Sequence, residues 1–227
     1  MISDMQLALK IRDLRFARPE GFSITIRDFS LSVDEQVLLA GPSGCGKSTL
    51  LLLAAGLLDA DSGEIQLAGK SITDARGGRR DAIRADRVGM VFQTHHLLPG
   101  FTARENVSVP LLFGGIRPAE HAAIADPLLA RLGISDPSVR VDRLSVGQQQ
   151  RVAIARALVG NPAVVFADEP TAALDPENAA TAVSLLKEIC RERNAALLLT
   201  SHDPGLESAF SRVIRFDELA QTSEVLG

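Results

Sequence analysis

The chain has 227 residues, of which 46% are apolar, so it is long enough and apolar enough to bury a sizeable core. Its 24 Lys and Arg residues against 28 Asp and Glu residues give a net charge of -4, which argues against a nucleic-acid partner, for which a basic surface is expected. The longest apolar run, residues 50–58, is shorter than the roughly 20 residues that span a bilayer, and the N-terminus lacks the features of a signal peptide. We therefore expect a cytoplasmic protein, and the two isolated cysteines, Cys45 and Cys190, indicate neither a disulfide framework nor a zinc site.

The first third of the chain predicts antiparallel strands followed by the start of an α/β fold. Residues 7–33 alternate apolar and polar positions in two stretches, with RPEG at residues 18–21 as the turn between them. The apolar run QVLLA at residues 36–40 ends in a glycine-rich turn, and a helix is predicted to begin near Lys47. EIQLAGKSI, at residues 64–72, predicts one further strand.

A helical segment interrupts this pattern before the α/β core resumes. Residues 94–157 are helical in composition and are punctuated by the turn sequences LLPG, FGGIRP and GISDP. AVVFAD and ALLLT, at residues 163–168 and 196–200, are typical of parallel strands buried on both faces, with a helix between them. We predict a single domain over residues 1–227, with a β-subdomain and a mainly parallel α/β core in 1–93 and 158–227 and an inserted helical lobe in 94–157.

The motif GPSGCGKST, at residues 41–49, follows a predicted strand and opens a predicted helix, which is the context of a phosphate-binding loop. Its glycines allow backbone N–H groups to turn toward phosphate oxygens, and the helix N-terminus adds partial positive charge. Lys47 would reach the β and γ phosphates, and Ser48 would ligate Mg2+. The full set predicted to bind nucleotide in this loop is Gly41, Pro42, Ser43, Gly44, Cys45, Gly46, Lys47, Ser48 and Thr49.

Polar residues at the ends of three apolar strands predict the hydrolytic part of the same site. Asp168 can hold Mg2+ and Glu169 can polarise the attacking water, because both end a buried strand where open α/β sheets bind ligands. His202 follows another such strand and could hydrogen-bond the γ phosphate. Gln93 follows VGMVF and could touch Mg2+ or water. A lone histidine is more often structural and a lone glutamine more often a surface residue. The assignment of His202 and Gln93 to the site therefore rests on the presence of the phosphate loop.

Taken in order, the phosphate loop, Gln93, LSVGQ at residues 144–148, AVVFADE, AALD and His202 resemble the ATP-binding subunit of the ABC transporters over nearly the full chain. The resemblance implies the ABC ATPase fold, a phosphate-loop core with a RecA-like sheet, and ATP held between two copies of the chain. The phosphate loop of one copy would face the LSVGQ signature of the other, where Ser145, Gly147 and Gln148 would bind ATP. It also implies that Phe16 stacks on adenine and that Asp175 lies in a loop that crosses the interface between the copies.

The stretch FQTHHLLPGFTARENVSVPL is similar to the branch of lipoprotein-release and macrolide-export ATPases. This resemblance implies an integral membrane permease subunit that docks near residues 93–112, and a location on the inner face of the cell membrane. Three residues depart from the family pattern: Val146 replaces a glycine, Ala172 a common serine, and Phe16 the usual tyrosine. We expect ATP sandwiching to survive Val146, since its backbone N–H remains available if φ stays negative.

Two other classes of function are compatible with a phosphate loop. A soluble ABC ATPase that assembles or remodels a protein complex would carry the same motifs, and recovery of the protein with or without membranes would discriminate the two. A small-molecule kinase or a GTPase is disfavoured, because neither needs LSVGQ and the sequence has no NKxD-like motif for reading guanine.

Overall fold

Two β-sheets with helices around them form the fold in the computed structural model, which describes residues 7–19 and 21–223. The strands are β1 (Leu7–Ala17), β2 (Ser23–Ser32), β3 (Gln36–Ala40), β4 (Ser62–Leu67), β5 (Lys70–Ser71), β6 (Val88–Val91), β7 (Val164–Asp168), β8 (Ala196–Ser201), β9 (Arg212–Arg215) and β10 (Gln221–Ser223). The helices are α1 (Lys47–Ala54), α2 (Gly78–Arg87), α3 (Ala103–Phe113), α4 (Pro118–Arg131), α5 (Val146–Leu158), α6 (Pro176–Glu192) and α7 (Phe216–Leu219), with short 3-10 turns at Val141–Arg143 and Pro204–Ala209.

The antiparallel sheet has the order β10-β2-β1-β4-β5, and its long hairpin of β1 and β2 is the predicted pair. Ile11 lies opposite Phe29 and Leu14 opposite Ile26, which places apolar side chains together on the buried face. The single strand predicted for residues 64–72 is wrong in one respect. The chain turns there into the β4–β5 hairpin, because Ala68 and Gly69 both adopt positive φ. Glycine adopts such a φ readily, whereas alanine does so only at a cost.

The parallel sheet has the order β6-β7-β8-β3-β9 and is covered on both faces. Phe166 and Leu198 belong to the apolar cluster shared with the antiparallel sheet and α1, whereas Val165 and Leu197 belong to the cluster shared with α3, α4, α5 and α6. Alternate residues therefore enter opposite cores, and this explains why the strands read as unbroken apolar runs.

Helices α3, α4 and α5 form the segment predicted as a lobe, and between residues 94 and 157 the structure has no strand apart from an isolated bridge between Thr102 and Arg140. The apolar interior of this segment is continuous with one face of the parallel sheet, since Val107, Leu128 and Val152 share a cluster with Val165. Helix α5 packs against both α3 and β6. The division of the chain at residues 94 and 157 stays a prediction.

Helix α2 was not predicted from the sequence. It carries four arginines and buries only Ile83, so it contains too few apolar residues for an apolar helix face to be recognised. The segment after residue 211 supplies β9 to the edge of the parallel sheet and β10 to the edge of the antiparallel sheet. Of the helices within residues 7–19 and 21–223, none combines the length and the apolar character needed to cross a bilayer.

Candidate active site

The phosphate-binding loop connects the buried strand β3 to helix α1, as predicted. Gly44 and Gly46 have φ of 81° and 114°, and a Cβ on Gly46 would lie 2.9 Å from the Phe22 ring and 3.1 Å from Ile24 and Phe216. Only glycine fits at that position. No side chain of the described residues caps α1, so the first backbone N–H groups of the helix are left to bind an anion.

Lys47 is the buried cation of the site, with 4% of its surface exposed. Its ammonium donates hydrogen bonds of 2.8 Å to the carbonyls of Gly41 and Pro42 and lies 3.3 Å from Oε1 of Glu169. The loop carbonyls orient the ammonium, and the carboxylate compensates its charge, which makes a buried lysine tolerable here.

Ser48 and Asp168 meet where α1 faces the end of β7. The hydroxyl of Ser48 donates to Oδ1 of Asp168 at 3.0 Å, and the hydroxyl of Thr200, on the neighbouring β8, donates to the same oxygen at 2.8 Å. One carboxylate and adjacent hydroxyls are oxygen donors of the kind that Mg2+ accepts when phosphates and waters complete its shell. The residues present therefore fit Mg2+. In the described part of the chain no group of three or more His, Cys, Asp or Glu residues could hold a metal without such help.

Glu169 lies between Lys47 and His202. Its carboxylate binds the ammonium through Oε1, and Oε2 lies 3.0 Å from Nδ1 of His202. Its backbone has a φ of 44°, unusual for a residue with a side chain, and its N–H donates to the carbonyl and hydroxyl of Thr200. Such conformations persist only where the surroundings enforce them, and they concentrate at functional sites. Here the carboxylate contacts Lys47 of the phosphate loop and His202 after β8.

One cavity of about 290 Å3 collects half of the predicted site residues. It is lined by Arg18, Phe22, Ser43, Gly44, Gly46, Lys47, Ser48, Thr49, Gln93, Glu169 and His202. Gly41, Pro42 and Cys45 belong to the same loop but lie outside this lining, and Asp168 contacts it through Ser48. Gln93 and His202, each weak as a single sequence signal, are thus placed beside the phosphate loop by β6 and β8.

The sequence reasoning missed Arg18 and Phe22. Phe16 is half-buried against the apolar cluster and is not part of the cavity wall, whereas the guanidinium carbon of Arg18 lies 6.0 Å from the Phe16 ring and 5.9 Å from the Phe22 ring. A signal existed, because a chain without Tyr or Trp has few groups on which a base can stack, and Phe22 adjoins the predicted turn. The role of Phe16 stays a prediction.

The signature residues lie away from this cavity. Ser145 caps α5 in a reciprocal pair with Gln148: its hydroxyl accepts from the Gln148 N–H at 3.3 Å, and its own N–H donates to the Gln148 side chain at 3.0 Å. Val146 begins the helix with ordinary helical backbone and is 49% exposed. Neither Ser145, Gly147 nor Gln148 is among the described residues that line the cavity.

Asp175 caps α6 next to this turn. Its carboxylate accepts hydrogen bonds from the backbone and side-chain amides of Asn178, which lower its pKa. A Cβ on Gly147 would lie 3.9 Å from Oδ1 of Asn178, so the starts of α5 and α6 adjoin. The chain therefore presents the phosphate loop and the signature turn as two separate surfaces.

A phosphate loop at a helix N-terminus, a Ser–Asp pair and a Glu–His pair in one cavity define a phosphate-loop nucleotide hydrolase. The sequence profile of the ABC transporter family matches residues 25–172. The chain belongs to this family and is an ATP-binding subunit that hydrolyses ATP.

Its relatives include two lipoprotein-releasing system ATP-binding proteins. LolD of Maricaulis maris is 41% identical over 219 residues, which cover 95% of each chain, and LolD 1 of Rhodospirillum rubrum is 40% identical over 196 residues, which cover 86% of this chain and 87% of the other. The resemblance to the lipoprotein-release branch is thereby confirmed.

Solved structures share the fold. The dimeric, post-hydrolysis form of the ATP-binding cassette MJ0796 bound to ADP and Pi has a TM-score of 0.80 at 32% identity, and another dimeric structure of MJ0796, a bacterial ABC transporter cassette, has a TM-score of 0.81 at 31% identity. Both matches cover 96% of this chain and 99% of the other. These similarities confirm the predicted ABC ATPase fold.

Proposed function

We propose that this chain powers an integral membrane partner through ATP-driven dimerisation, in a system that releases lipoproteins. The observation that carries the proposal is the separation of the two ATP-binding surfaces. The cavity with Lys47 and Glu169 lacks Ser145 and Gly147, which form an exposed helix start elsewhere on the chain. Two copies facing each other would complete two sites, and the names of the relatives supply the link to lipoprotein release.

Within one copy, the residues of the cavity have distinct roles in hydrolysis. Lys47 and the loop N–H groups would bind the phosphates, and Glu169 would orient the attacking water and accept its proton. His202, bonded to Glu169, would hold the γ phosphate in line. Ser48, Asp168 and Gln93 would hold Mg2+, which when bound neutralises charge on the phosphate oxygens.

The second copy would contribute the start of α5. Ser145 and the N–H of Gly147 would contact the γ phosphate, supported by the positive end of the helix, with Gln148 holding the Ser145 backbone. Asp175, fixed by Asn178, would lie at the crossing loop. Closing this interface brings the two helical segments toward each other, and hydrolysis releases them.

A large groove on another part of the surface would receive the membrane partner. This docking groove, of about 990 Å3, is formed by Lys70, Ser71, α2 and the end of α3, together with Ile116, Ile124 and residues 159–161. Phe113, in its wall, is 76% exposed, and Leu112 beside it is 57% exposed. Exposed apolar side chains at a groove are typical of interaction surfaces.

The docking groove overlaps only the end of the predicted region, residues 93–112. It also includes α2, which was not predicted, and Ile116 and Ile124 in the helical segment. Leu98 and Phe101, which are 40% and 49% exposed, lie within the predicted region itself. A partner that binds here would hold the chain at the inner face of the cell membrane, and the chain itself would be cytoplasmic.

The proposal is tested by isolating the Glu169→Gln chain from native membranes and identifying the integral membrane proteins that accompany it. We expect one membrane protein or pair to co-purify with this chain, and to be lost when Phe113→Ser is added. Val33→Ser is the matched control, because Val33 is also an exposed apolar residue, at 45%, but is not part of the groove.

A different result would favour the rival function. If the chain is found only in the soluble fraction and co-purifies with soluble proteins, the rival function, assembly or remodelling of another complex, is favoured. If Phe113→Ser and Val33→Ser behave alike, the docking groove is misplaced.

A further inference from the structure

The segment after Gln93 is a tight turn with an unusual backbone. His95 and His96 both have positive φ, 52° and 47°, although neither is glycine. Local bonds close the turn: the His95 N–H donates to the carbonyl of Phe92 at 3.2 Å, and the His96 N–H donates to the carbonyl of Thr94 at 2.5 Å. Two successive left-handed residues with side chains require support from their surroundings.

Arg156, in the last turns of α5, supplies that support. Its Nη1 donates to the carbonyl of His96 and its Nη2 to the carbonyl of His95, each at 2.5 Å. Burial lowers the pKa of Arg156, and no carboxylate of the described residues forms an ion pair with it. A desolvated guanidinium that bonds only to carbonyls is costly, and its forked geometry is suited to gripping two acceptors.

The side chains of the two histidines have different surroundings. Burial lowers the pKa of His95, the charge of Arg156 lowers it further, and a hydrogen bond with Gln150 opposes both effects. The His96 ring lies edge-on against Phe92, with 4.9 Å between ring centroids. Arg156 therefore ties the turn to α5 through the backbone carbonyls of His95 and His96.

Arg156 also faces the proposed partner. A second cavity of about 290 Å3 is lined by Phe92, His96 and Arg156 and shares Ala85, Pro110 and Gly160 with the docking groove. A segment seated in the groove would thus reach the turn, while Gln93, at the start of the turn, lines the nucleotide cavity.

We propose that Arg156 is a positioning residue: by gripping the His95–His96 turn it fixes the Gln93 side chain in the nucleotide cavity and connects that cavity to the docking groove. The inference rests on the proposed role of Gln93 in hydrolysis. Arg156 lies near the end of helix α5, and Ser145, which is proposed to bind the ATP of the second copy, caps the start of the same helix. The same helix thus extends from the signature turn to the cavity beside the docking groove, and it would couple them if Arg156 has the proposed role.

The test compares Arg156→Gln with Arg193→Gln in the full chain. Arg193 is the matched control, because it is also half-buried, has its pKa lowered by burial and donates to a carbonyl of α5, that of Leu158 at 2.6 Å. We expect Arg156→Gln to lower kcat for ATP hydrolysis about tenfold with an unchanged Kd for MgATP, a smaller effect than the ~100-fold that a 1 Å misplacement of a reacting group can cause. Arg193→Gln should leave kcat unchanged.

Histidine NMR supplies a readout of the turn itself, since the chain has only four histidines. Ring signals of His95 and His96 should move in Arg156→Gln, and that of His121, which bonds to the carbonyl of Ile116, should not. If Arg156→Gln is poorly folded, Arg156→Lys replaces it, because a single ammonium keeps the charge and loses the fork.

Rescue separates positioning from a purely structural role. His95→Asn with His96→Gly, introduced into the Arg156→Gln chain, should restore most of kcat, because asparagine and glycine adopt positive φ with little cost. The inference is overturned if Arg156→Gln keeps full kcat, or if its loss equals that of Arg193→Gln and is not rescued. Gln93→Ala tests the role of Gln93 separately: if it leaves kcat unchanged, that role and the inference both fail, whereas a loss in Gln93→Ala without one in Arg156→Gln overturns only the inference.

Discussion

Lys47 and Glu169 form a buried pair whose partners would change during the reaction. The ammonium is held by the loop carbonyls and by Glu169, so a bound phosphate would compete with the carboxylate for the same cation. Weakening this pair would free Glu169 to bind water while His202 still holds its second oxygen.

We predict that Arg18 and Phe22 contact the adenine base of ATP. Arg18 and Phe22 line the cavity, so we expect Phe22→Ala or Arg18→Ala to weaken ATP binding about tenfold, in line with the ~1–3 kcal/mol of a base stacked on a side chain. Binding of inorganic tripolyphosphate, which has no base, should be unchanged in both. Titrations with the two ligands give the comparison.

Phe16→Ala is the control in this series. It should affect both ligands little, since Phe16, unlike Phe22, does not line the cavity. A selective loss of ATP affinity in Phe16→Ala alone would assign the base to Phe16, the residue that the family resemblance indicates.

At the scale of elements, the contact between β6 and α5 decides where Gln93 is placed. A Cβ on Gly89, in β6, would lie 2.2 Å from the carbonyl oxygen of Ala157, in α5, so the strand and the helix approach closely because this residue has no side chain. The same helix carries Arg156, one residue earlier.

We expect Gly89→Ala to lower the free energy of unfolding by about 1–3 kcal/mol, the usual cost of an extra methyl group in a packed interior. Urea denaturation measures this change. Gly78→Ala is the control, because a Cβ at Gly78, in the first turn of α2, meets no atom within 4 Å and should be neutral or slightly stabilising. Equal effects of the two substitutions would show that β6 and α5 can separate without cost.

Sequence patterns predicted the elements whose burial imposes a simple rule. β3, β7 and β8 are covered on both faces and therefore read as apolar runs, and the loop before α1 has a motif fixed by phosphate geometry. Helix α2 was not predicted, because only Ile83 among its residues is buried. The β4–β5 turn was not predicted either, because alanine rarely adopts the positive φ that Ala68 has.

The geometry of the site could be predicted only in part. The sequence indicated Asp168, Glu169 and His202 as strand-end residues, but the grip of Arg156 on two carbonyls depends on backbone groups that carry no sequence signal. Arg18 likewise enters the cavity through the fold of a turn.

At the scale of the whole molecule, the parallel sheet separates two apolar cores and positions three functional surfaces around them. The loop after β3 and the ends of β6, β7 and β8 form the nucleotide cavity. The starts of α5 and α6 form the signature surface, and α2 with the end of α3 forms the docking groove. The signature residues Ser145 and Gly147 do not line the cavity of their own chain, so we expect a second copy to supply them.

The most direct test of this account is the mass of the Glu169→Gln chain measured by size-exclusion chromatography with light scattering. With MgATP we predict a species of about twice the monomer mass of 24.2 kDa, because the substitution removes the proton acceptor and the negative charge that competes with phosphate for Lys47. Adding Ser145→Arg, which places a cation and extra bulk at the signature turn, should return the protein to monomer, whereas Glu218→Gln, at an exposed glutamate of α7, should not. A Glu169→Gln chain that stays monomeric with MgATP, both alone and with its membrane partner, would contradict the account.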